Sequence, residues 1–416
     1  MRAGLVGLSL LGAAGLFAMY RPAPDETALL VKAQADFKAG RLDDAEAGLA
    51  RLAAMRPQKS MEHMALAQIA IARDQPEKAL AELRGIPDRD PLAAIARTLT
   101  GQVELKQGKA RLAEAQFLAA IRIEPKAVEA RRELVYIYNI QHRQKEVDAH
   151  VHVLSEVGSL PYDQLLHWSQ TRNIVWNPTR DCEALERFIA NDPDDRDSRL
   201  ALADGLRQLG RMSEAAKAIA PLPDTDVQAK IRRILWAFDD GDHARAEALL
   251  ADGVGDEPGL ARLRGQLALA RGDARGAIHY LKTAVDFDPL DRPALFALAT
   301  AYKLQGEEPK GARYLDQAKK HDALTPLITR ASTNEGRLDL KLPSQIGAAC
   351  AEAGRLYEAL AWYKNAIARD PLDTKSQGAI FSLTRQIAEK APATASASTT
   401  AKDSTSRGRG ADGQGG

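Results

Sequence analysis

Histidines are the first residues of this 416-residue chain to consider for chemistry, because they can bind metals or transfer protons. Eight are scattered along the sequence, and His150 and His152 are the only close pair. Two residues at this spacing on a helix point about 200° apart around its axis, so the two rings cannot share a metal ion. We interpret both as structural histidines on the surface, and the sequence predicts no metal site.

Paired carboxylates are the second candidates for chemistry, because one of the two can act as a general acid and the other as a general base. The pairs are Asp43-Asp44, Asp194-Asp195 and Asp239-Asp240. All of them fall in predicted turns or at predicted helix starts, where carboxylates cap the first turn and interact favourably with the helix dipole. No serine or cysteine lies in a recognisable nucleophile context. The glycines near the C-terminus lack the strand and helix of a phosphate-binding loop. The sequence predicts no enzyme, no cofactor and no small-molecule substrate.

A 34-residue period organises the elements around these residues. A residue suited to a tight turn recurs at Gly40, Asp74 and Gly108. Alanine and proline recur in the same frame, at Ala45, Ala79 and Ala113 and at Pro57, Pro91 and Pro125. Self-similarity at this period predicts a stack of helical hairpins.

The unit around Gly108 shows why these residue types recur. Gly108 is expected to end the first helix in a left-handed cap. Ala113 is small enough for the second helix to approach the first closely, and Gly101 is expected opposite it. Phe117 fills the space toward the next unit, and Pro125 ends the second helix because it cannot continue it.

These residues resemble the tetratricopeptide repeat family. Three units carry its pattern of small residue, glycine, alanine, large apolar residue, alanine and proline: Gly101, Gly108, Ala113, Phe117, Ala120 and Pro125; Gly265, Gly272, Ala277, Leu281, Ala284 and Pro289; Gly347, Gly354, Ala359, Tyr363, Ala366 and Pro371. The resemblance covers roughly residues 26–373. It implies an all-α, right-handed superhelical solenoid of about nine to ten hairpins, whose first helices line a concave groove.

The repeat frame also predicts the order of segments along the chain. They are an N-terminal anchor or signal (1–24), repeats (25–159), an irregular hairpin (160–195), repeats (196–325), an extended connector (326–341), a last repeat (342–373), a capping helix (374–390) and a disordered tail (391–416). The tail is rich in Ala, Ser, Thr and Gly, and such a composition cannot offset the entropy of ordering.

Cys182 and Cys350 are separated by about five repeats. Neighbouring helices are about 10 Å apart, and a disulfide needs α-carbons within about 7 Å. We therefore expect two separate thiols, with Cys350 buried and inert.

Residues 3–20 carry no charge and are flanked by Arg2 and Arg21. As a helix they would span about 27 Å, just enough for a bilayer core. They are either an uncleaved membrane anchor or a cleaved signal peptide, and the basic end before them favours a periplasmic solenoid. A composition rich in Ala and Arg suggests a bacterial source, and a net charge of +1 gives no reason to expect nucleic acid as a partner.

The groove implied by the family is the predicted binding surface for a protein or peptide. Glutamine recurs at one position of the first helices, at Gln34, Gln68, Gln102 and Gln266. These amides form either a ladder of hydrogen-bond donors and acceptors for the backbone of a bound peptide, or an ordinary solvent-exposed helix face. Further groove candidates are Phe37, Ile71, Leu105, Tyr136 and Asn139.

Aromatic residues in the irregular segment offer a second candidate surface. Tyr162, Trp168 and Trp176 either anchor a partner or fill the gap left by a distorted hairpin. The predicted function is a non-catalytic scaffold tethered to a membrane. The alternatives are an assembly factor of an envelope complex and an accessory subunit of a separately encoded enzyme.

Overall fold

The computed structural model describes residues 24–157, 160–173, 178–251 and 258–390. Within these ranges the chain forms α-helices joined by turns and short irregular segments, and no β-strand occurs. The predicted all-α class is confirmed. The chain divides into two compact units, each discontinuous in sequence.

The N-terminal unit comprises Met1–Val157 and Asn177–Ala229. Its helices are α1 (Pro24–Lys38), α2 (Leu42–Met55), α3 (Ser60–Ala72), α4 (Pro76–Arg84), α5 (Ala93–Lys106), α6 (Ala110–Ile123), α7 (Val128–Ile140), α8 (Gln144–Val157), α10 (Pro178–Asn191), α11 (Arg196–Gln208) and α12 (Met212–Ile219). Helices α1 to α8 pack as four successive hairpins, and α11 pairs with α12.

The C-terminal unit comprises Gly158–Trp176 and Lys230–Gly416. Its helices are α9 (Tyr162–Arg172), α13 (Val227–Asp239, which begins at the unit boundary), α14 (His243–Ala251), α15 (Pro258–Ala270), α16 (Ala274–Phe287), α17 (Arg292–Leu304), α18 (Glu308–Asp322), α19 (Leu324–Ala331), α20 (Asn334–Leu338), α21 (Leu342–Glu352), α22 (Leu356–Arg369) and α23 (Thr374–Lys390). The pairs α15–α16, α17–α18 and α21–α22 form hairpins.

The turns inside the hairpins use left-handed backbone at the predicted positions. Gly40 and Gly108 have φ of 75° and 78°, and Asp74 adopts the same conformation with φ of 57°. His142 continues the series one period later with φ of 58°, and sequence inspection missed it because histidine gives no turn signal. This left-handed conformation favours glycine. Because Asp74 and His142 adopt it without being glycines, the surrounding fold must impose the conformation at these two positions.

Small residues bring the paired helices together. Ala113 is fully buried, as are its equivalents in the first two hairpins. A β-carbon built at Gly101 would lie 2.6 Å from Phe117 Cε1, so the large ring of α6, rather than Ala113, lies nearest to this glycine. The same pairing of glycine with a large side chain recurs at Gly265 with Leu281. Gly101 must therefore be small, as expected, and the contact that requires it is with the ring of Phe117.

Both breaks in the repeat frame differ from expectation. The irregular hairpin expected for residues 160–195 is divided between the two units, with α9 in the C-terminal unit and α10 in the N-terminal unit. The region expected as an extended connector, 326–341, is largely helical, in α19 and α20. Helix α9 packs against α19 and α22, so the two breaks meet in space.

Two predicted segments lie outside the described residues: the charge-free stretch 3–20 and the tail 391–416. Among the helices that the structure describes, none combines the length and the apolar character needed to cross a membrane. Helix α23, the last one described, buries Leu383 and Ile387 against the hairpin that precedes it.

Candidate partner-binding surface

The predicted groove residues form two rows on the first helices of the four N-terminal hairpins. One row holds Gln34, Gln68, Gln102 and Tyr136, and the other holds Phe37, Ile71, Leu105 and Asn139. In each row, one residue comes from α1, α3, α5 and α7 in turn. The rows lie one helical turn apart on each helix, so they run side by side across successive hairpins.

The glutamine row does not present a ladder of free amides. Gln34 Nε2 donates to Met61 Sδ at 3.7 Å, and Gln102 Nε2 donates to Glu133 Oε1 at 3.0 Å. Burial raises the pKa of the Glu133 carboxyl, and the hydrogen bond from Gln102 partly offsets this rise. The amides of Gln34 and Gln102 therefore join one first helix to the next.

The apolar row remains accessible over three hairpins. Phe37, Ile71 and Leu105 are each half-buried. A cavity of about 280 Å³ opens between α5 and the start of α7, and Ile95, Thr98 and Gln102 lie on its α5 side. The side chain of Ile95 is exposed (38%). This surface has apolar contact area with polar groups at its edge, a combination suited to binding a peptide.

Both rows end at the fourth hairpin. Helix α10 packs against α7, and the charges of Arg180 and Arg187 act on the Tyr136 hydroxyl, whose pKa burial raises. Asn139 is fully buried, and neither atom of its amide has a hydrogen-bond partner. Asn139 is therefore not available to a partner, and its prediction as an open groove residue was wrong. The 34-residue pattern could not show this, because α10 follows the break in that pattern.

Gln266 lies outside the N-terminal unit. It is half-buried on α15 of the C-terminal unit, whereas the other three glutamines belong to the N-terminal unit. The described candidate surface therefore consists of the first three hairpins.

Sequence profiles of one family match most of these hairpins. The profile of a tetratricopeptide repeat-like domain matches residues 22–137. A tetratricopeptide repeat profile matches residues 183–221 and 262–326. The chain is a tetratricopeptide repeat protein. Proteins of this family are generally non-catalytic scaffolds that bind protein partners.

Solved structures of other repeat proteins align at low similarity. The Cut9–Hcn1 hetero-tetramer of the APC/C is 12% identical, with a TM-score of 0.33, over 90% of this chain and 99% of that one. The human IFIT1 dimer with PPP-AAAA is 14% identical, with a TM-score of 0.34, over 77% and 93% of the two chains. The P58(IPK) TPR domain is 14% identical, with a TM-score of 0.26, over 88% and 99%. At these values the likeness carries no functional information. A comparison with curated protein sequences finds no match.

Tyr162 and Trp168, the described aromatic candidates of the first break, pack inside this tetratricopeptide repeat protein. Trp168 is fully buried, and Tyr162 packs edge-to-face on Trp362 with ring centroids 5.7 Å apart. Trp176 lies outside the described residues. Of the two interpretations, the described residues support filling of an interior space, and the aromatic partner surface was wrong for Trp168.

A buried polar cluster in the C-terminal unit was not predicted. Ser169 Oγ lies 2.5 Å from Glu358 Oε1 and accepts a hydrogen bond from Trp362 Nε1 at 2.9 Å. Arg355 Nε donates to His321 Nδ1 at 3.1 Å. Burial, followed by the charge of Arg355, lowers the pKa of His321 to about 4. These side chains come from three separate parts of the sequence, so no local motif announced the cluster.

His150 and Asp195, two of the residues considered for chemistry, make structural contacts. His150 is buried rather than on the surface, stacks on Tyr138 and hydrogen-bonds Arg131 at 3.1 Å. Burial, then Arg131, lowers its pKa to about 4. The carboxylate of Asp195 caps α11 by accepting from Ser198 N at 3.0 Å, as expected.

Cys182 and Cys350 are free, buried thiols, and burial raises the pKa of both, to about 11 for Cys182. Thiols with raised pKa values are poor nucleophiles at neutral pH. In the described ranges no group of three potential metal ligands comes together.

Proposed function

We propose that this protein is a non-catalytic scaffold that binds a peptide or a segment of a partner protein on the first helices of its N-terminal hairpins. The observation that carries the proposal is the row Phe37, Ile71 and Leu105. Each of these residues is apolar and half-buried, and each occupies the same position of its hairpin. A row at constant spacing can bury apolar side chains that recur along a bound segment.

Two neighbouring features add a polar contact and a side-chain cavity to this surface. Gln68 lies beside the apolar row and is half-buried. The cavity beside Gln102 is large enough for one side chain of the bound segment and has Ile95 on its wall. The bound segment therefore needs apolar residues for the row and the cavity, and backbone or polar groups that can pair with Gln68.

The charge-free residues 3–20 support a second part of the proposal, a membrane tether that holds the hairpins outside the cytoplasm. A cleaved signal peptide would leave the same hairpins free in the periplasm. In both cases a bacterial cell envelope is the proposed location.

The test is affinity purification with mass spectrometry after crosslinking in cells. The bait is the full chain, either unmodified or carrying Gln68→Ala and Leu105→Ala together. Leu112→Ala is the matched control, because Leu112 is an exposed leucine (39%) on the second helix α6. The double variant should lose most of a partner that the control retains, with circular dichroism unchanged for both. If the double variant recovered all partners equally well, the groove would not be the binding surface.

A chain beginning at Pro24 separates binding from tethering. Partners shared with the full chain support the hairpins as the binding element and residues 3–20 as a tether. Partners found only with the full chain favour the alternative, an assembly role within an envelope complex.

A further inference from the structure

The cavity between α5 and the start of α7 has both apolar and polar walls. Its volume is about 280 Å³, and Ile95, Leu99 and Ala130 supply apolar surface. Gln102 and Glu129 line it as well. A cavity divided in this way suits a long side chain with an apolar stem and a polar end.

Two glutamates of α7 lie beside this cavity. Glu129 is part of its lining, and Glu133 follows four residues later, so the two carboxylates are neighbours on one helix face. Glu133 Oε1 accepts the hydrogen bond from Gln102 Nε2 at 3.0 Å, and Gln102 lines the same cavity. The helix spacing and this bond therefore bring two negative charges to one cavity.

These glutamates stand at positions where the preceding hairpin has apolar residues. One period of 34 residues before Glu133 is Leu99, and one period before Glu129 is Ile95. Helix packing at these two positions of the repeat is therefore compatible with apolar side chains, and the hairpin itself does not require a carboxylate at either.

The two carboxylates lack a cationic partner. In the part of the chain that the structure describes, neither Glu129 nor Glu133 forms an ion pair. Burial raises the pKa of the Glu133 carboxyl, and the hydrogen bond from Gln102 partly offsets the rise. Glu124 and Lys126, which also line the cavity, together add no net charge. Like charges four residues apart repel each other, and a half-buried charge without a counter-ion opposes folding. A cation supplied by a ligand removes both penalties.

We propose that this cavity binds a lysine or arginine side chain of the segment that the N-terminal hairpins recognise. The inference rests on the proposed function and adds the chemistry of one bound residue. The methylene stem of a basic side chain lies against Ile95 and Leu99, which meets the apolar requirement of the cavity. Its charged end pairs with Glu129 and Glu133 through charge-assisted hydrogen bonds. The recognised segment thus carries a basic residue beside the apolar residues that contact the row.

Peptide selection tests this proposal. A library of random peptides displayed on phage is selected against the immobilised full chain, either unmodified or carrying Glu133→Gln. Glutamine keeps the size of the side chain and an acceptor for Gln102. The peptides selected by the unmodified chain should be enriched in Lys and Arg at one position, and those selected by Glu133→Gln should lack this enrichment. Glu352→Gln, at an exposed position of α21 in the C-terminal unit, removes the same charge and should select the same peptides as the unmodified chain.

Fluorescence anisotropy with one selected peptide measures the contribution of the charge. Replacing the basic residue of the peptide by methionine should raise the Kd of the unmodified chain about tenfold, because a hydrogen bond to a charged group is lost. The same replacement should change the Kd of Glu133→Gln little, since the carboxylate is already absent. Equal losses for the two chains overturn the proposal.

The variant Leu105→Ala separates this proposal from the proposed function. Selected peptides that lose affinity in Leu105→Ala but show no enrichment in Lys and Arg keep the groove and overturn the basic subsite. Peptides enriched in Lys and Arg that bind Leu105→Ala as tightly as the unmodified chain would instead contradict binding on the apolar row. A selection that yields no binders overturns the subsite, and the affinity purification described above then decides the groove.

Discussion

Ser169 and Glu358 form a buried hydrogen bond of 2.5 Å although 189 positions separate them in the sequence. Ser169 lies on α9, at the first break in the repeat frame, and Glu358 lies on α22 of the last hairpin. The bond joins a helix from the middle of the chain to the end of the repeat array. It lies at the centre of the contacts that join α9 to the rest of the C-terminal unit.

Loss of Glu358 should strongly destabilise this unit. Glu358→Ala removes the acceptor of Ser169 and leaves Arg355 as a buried charge without its carboxylate, 3.5 Å away in the native protein. Breaking a buried pair from one side costs about 3 to 5 kcal/mol. Urea denaturation followed by circular dichroism measures the change. Glu352→Ala, at an exposed position of α21, should change the free energy of unfolding little; equal effects of the two variants would contradict the role given to the cluster.

A charge at a close helix contact should disrupt the third hairpin. Ala113→Glu places a carboxylate at a fully buried position between α5 and α6, and an unpaired buried charge costs several kcal/mol, roughly 3 or more. Ala115→Glu is the control, because Ala115 is exposed on the same helix. Thermal melting should separate the two variants clearly. A melting temperature of Ala113→Glu equal to that of the parent would refute the repeat frame there.

Replacing each of two glycines by alanine should change the stability of the protein in opposite directions. Gly101→Ala brings a β-carbon to 2.6 Å from the buried ring of Phe117 and should destabilise the protein by about 1 to 3 kcal/mol. Gly378, in α23, has open space at the same position. Gly378→Ala should stabilise by up to about 1 kcal/mol, because alanine favours the helix. Denaturation midpoints of both variants measure these changes, and a stabilising Gly101→Ala would show that α6 can move aside.

Acid should destabilise the fold through His150. Burial and the charge of Arg131 lower its pKa from the ordinary histidine value of 6.5 to about 4, so the unfolded chain binds the proton more readily. The full stability is present above about pH 6.5 and is lost progressively as the pH falls to about 4, by up to roughly 3 kcal/mol. Denaturation at a series of pH values measures the slope.

The variant His150→Gln keeps an acceptor for Arg131 and should show a shallower slope over this pH range. His243→Gln, at an exposed histidine, should keep the slope of the parent. His321, whose pKa is also lowered to about 4, supplies the part that remains. An unchanged slope in His150→Gln would assign the whole effect to other groups.

Local patterns in the sequence were sufficient to predict the hairpins. Gly40, Asp74 and Gly108 mark turns because the left-handed conformation is decided within a few residues. Ala113 and Phe117 identify the packed face of α6, because a helix repeats its environment every three to four residues. The family, the all-α class and the apolar row all follow from patterns of this kind.

Only the tertiary structure decided where α9 binds, that Asn139 and His150 are buried, and that Gln102 pairs with Glu133. The physical reason is that these features depend on which distant segments meet. For a helix at a break in the repeat frame, the 34-residue period does not predict which helix packs against it. Its partner is set by complementary side chains far away in sequence, such as Ser169 and Glu358, and a single sequence contains no local signal for that pairing.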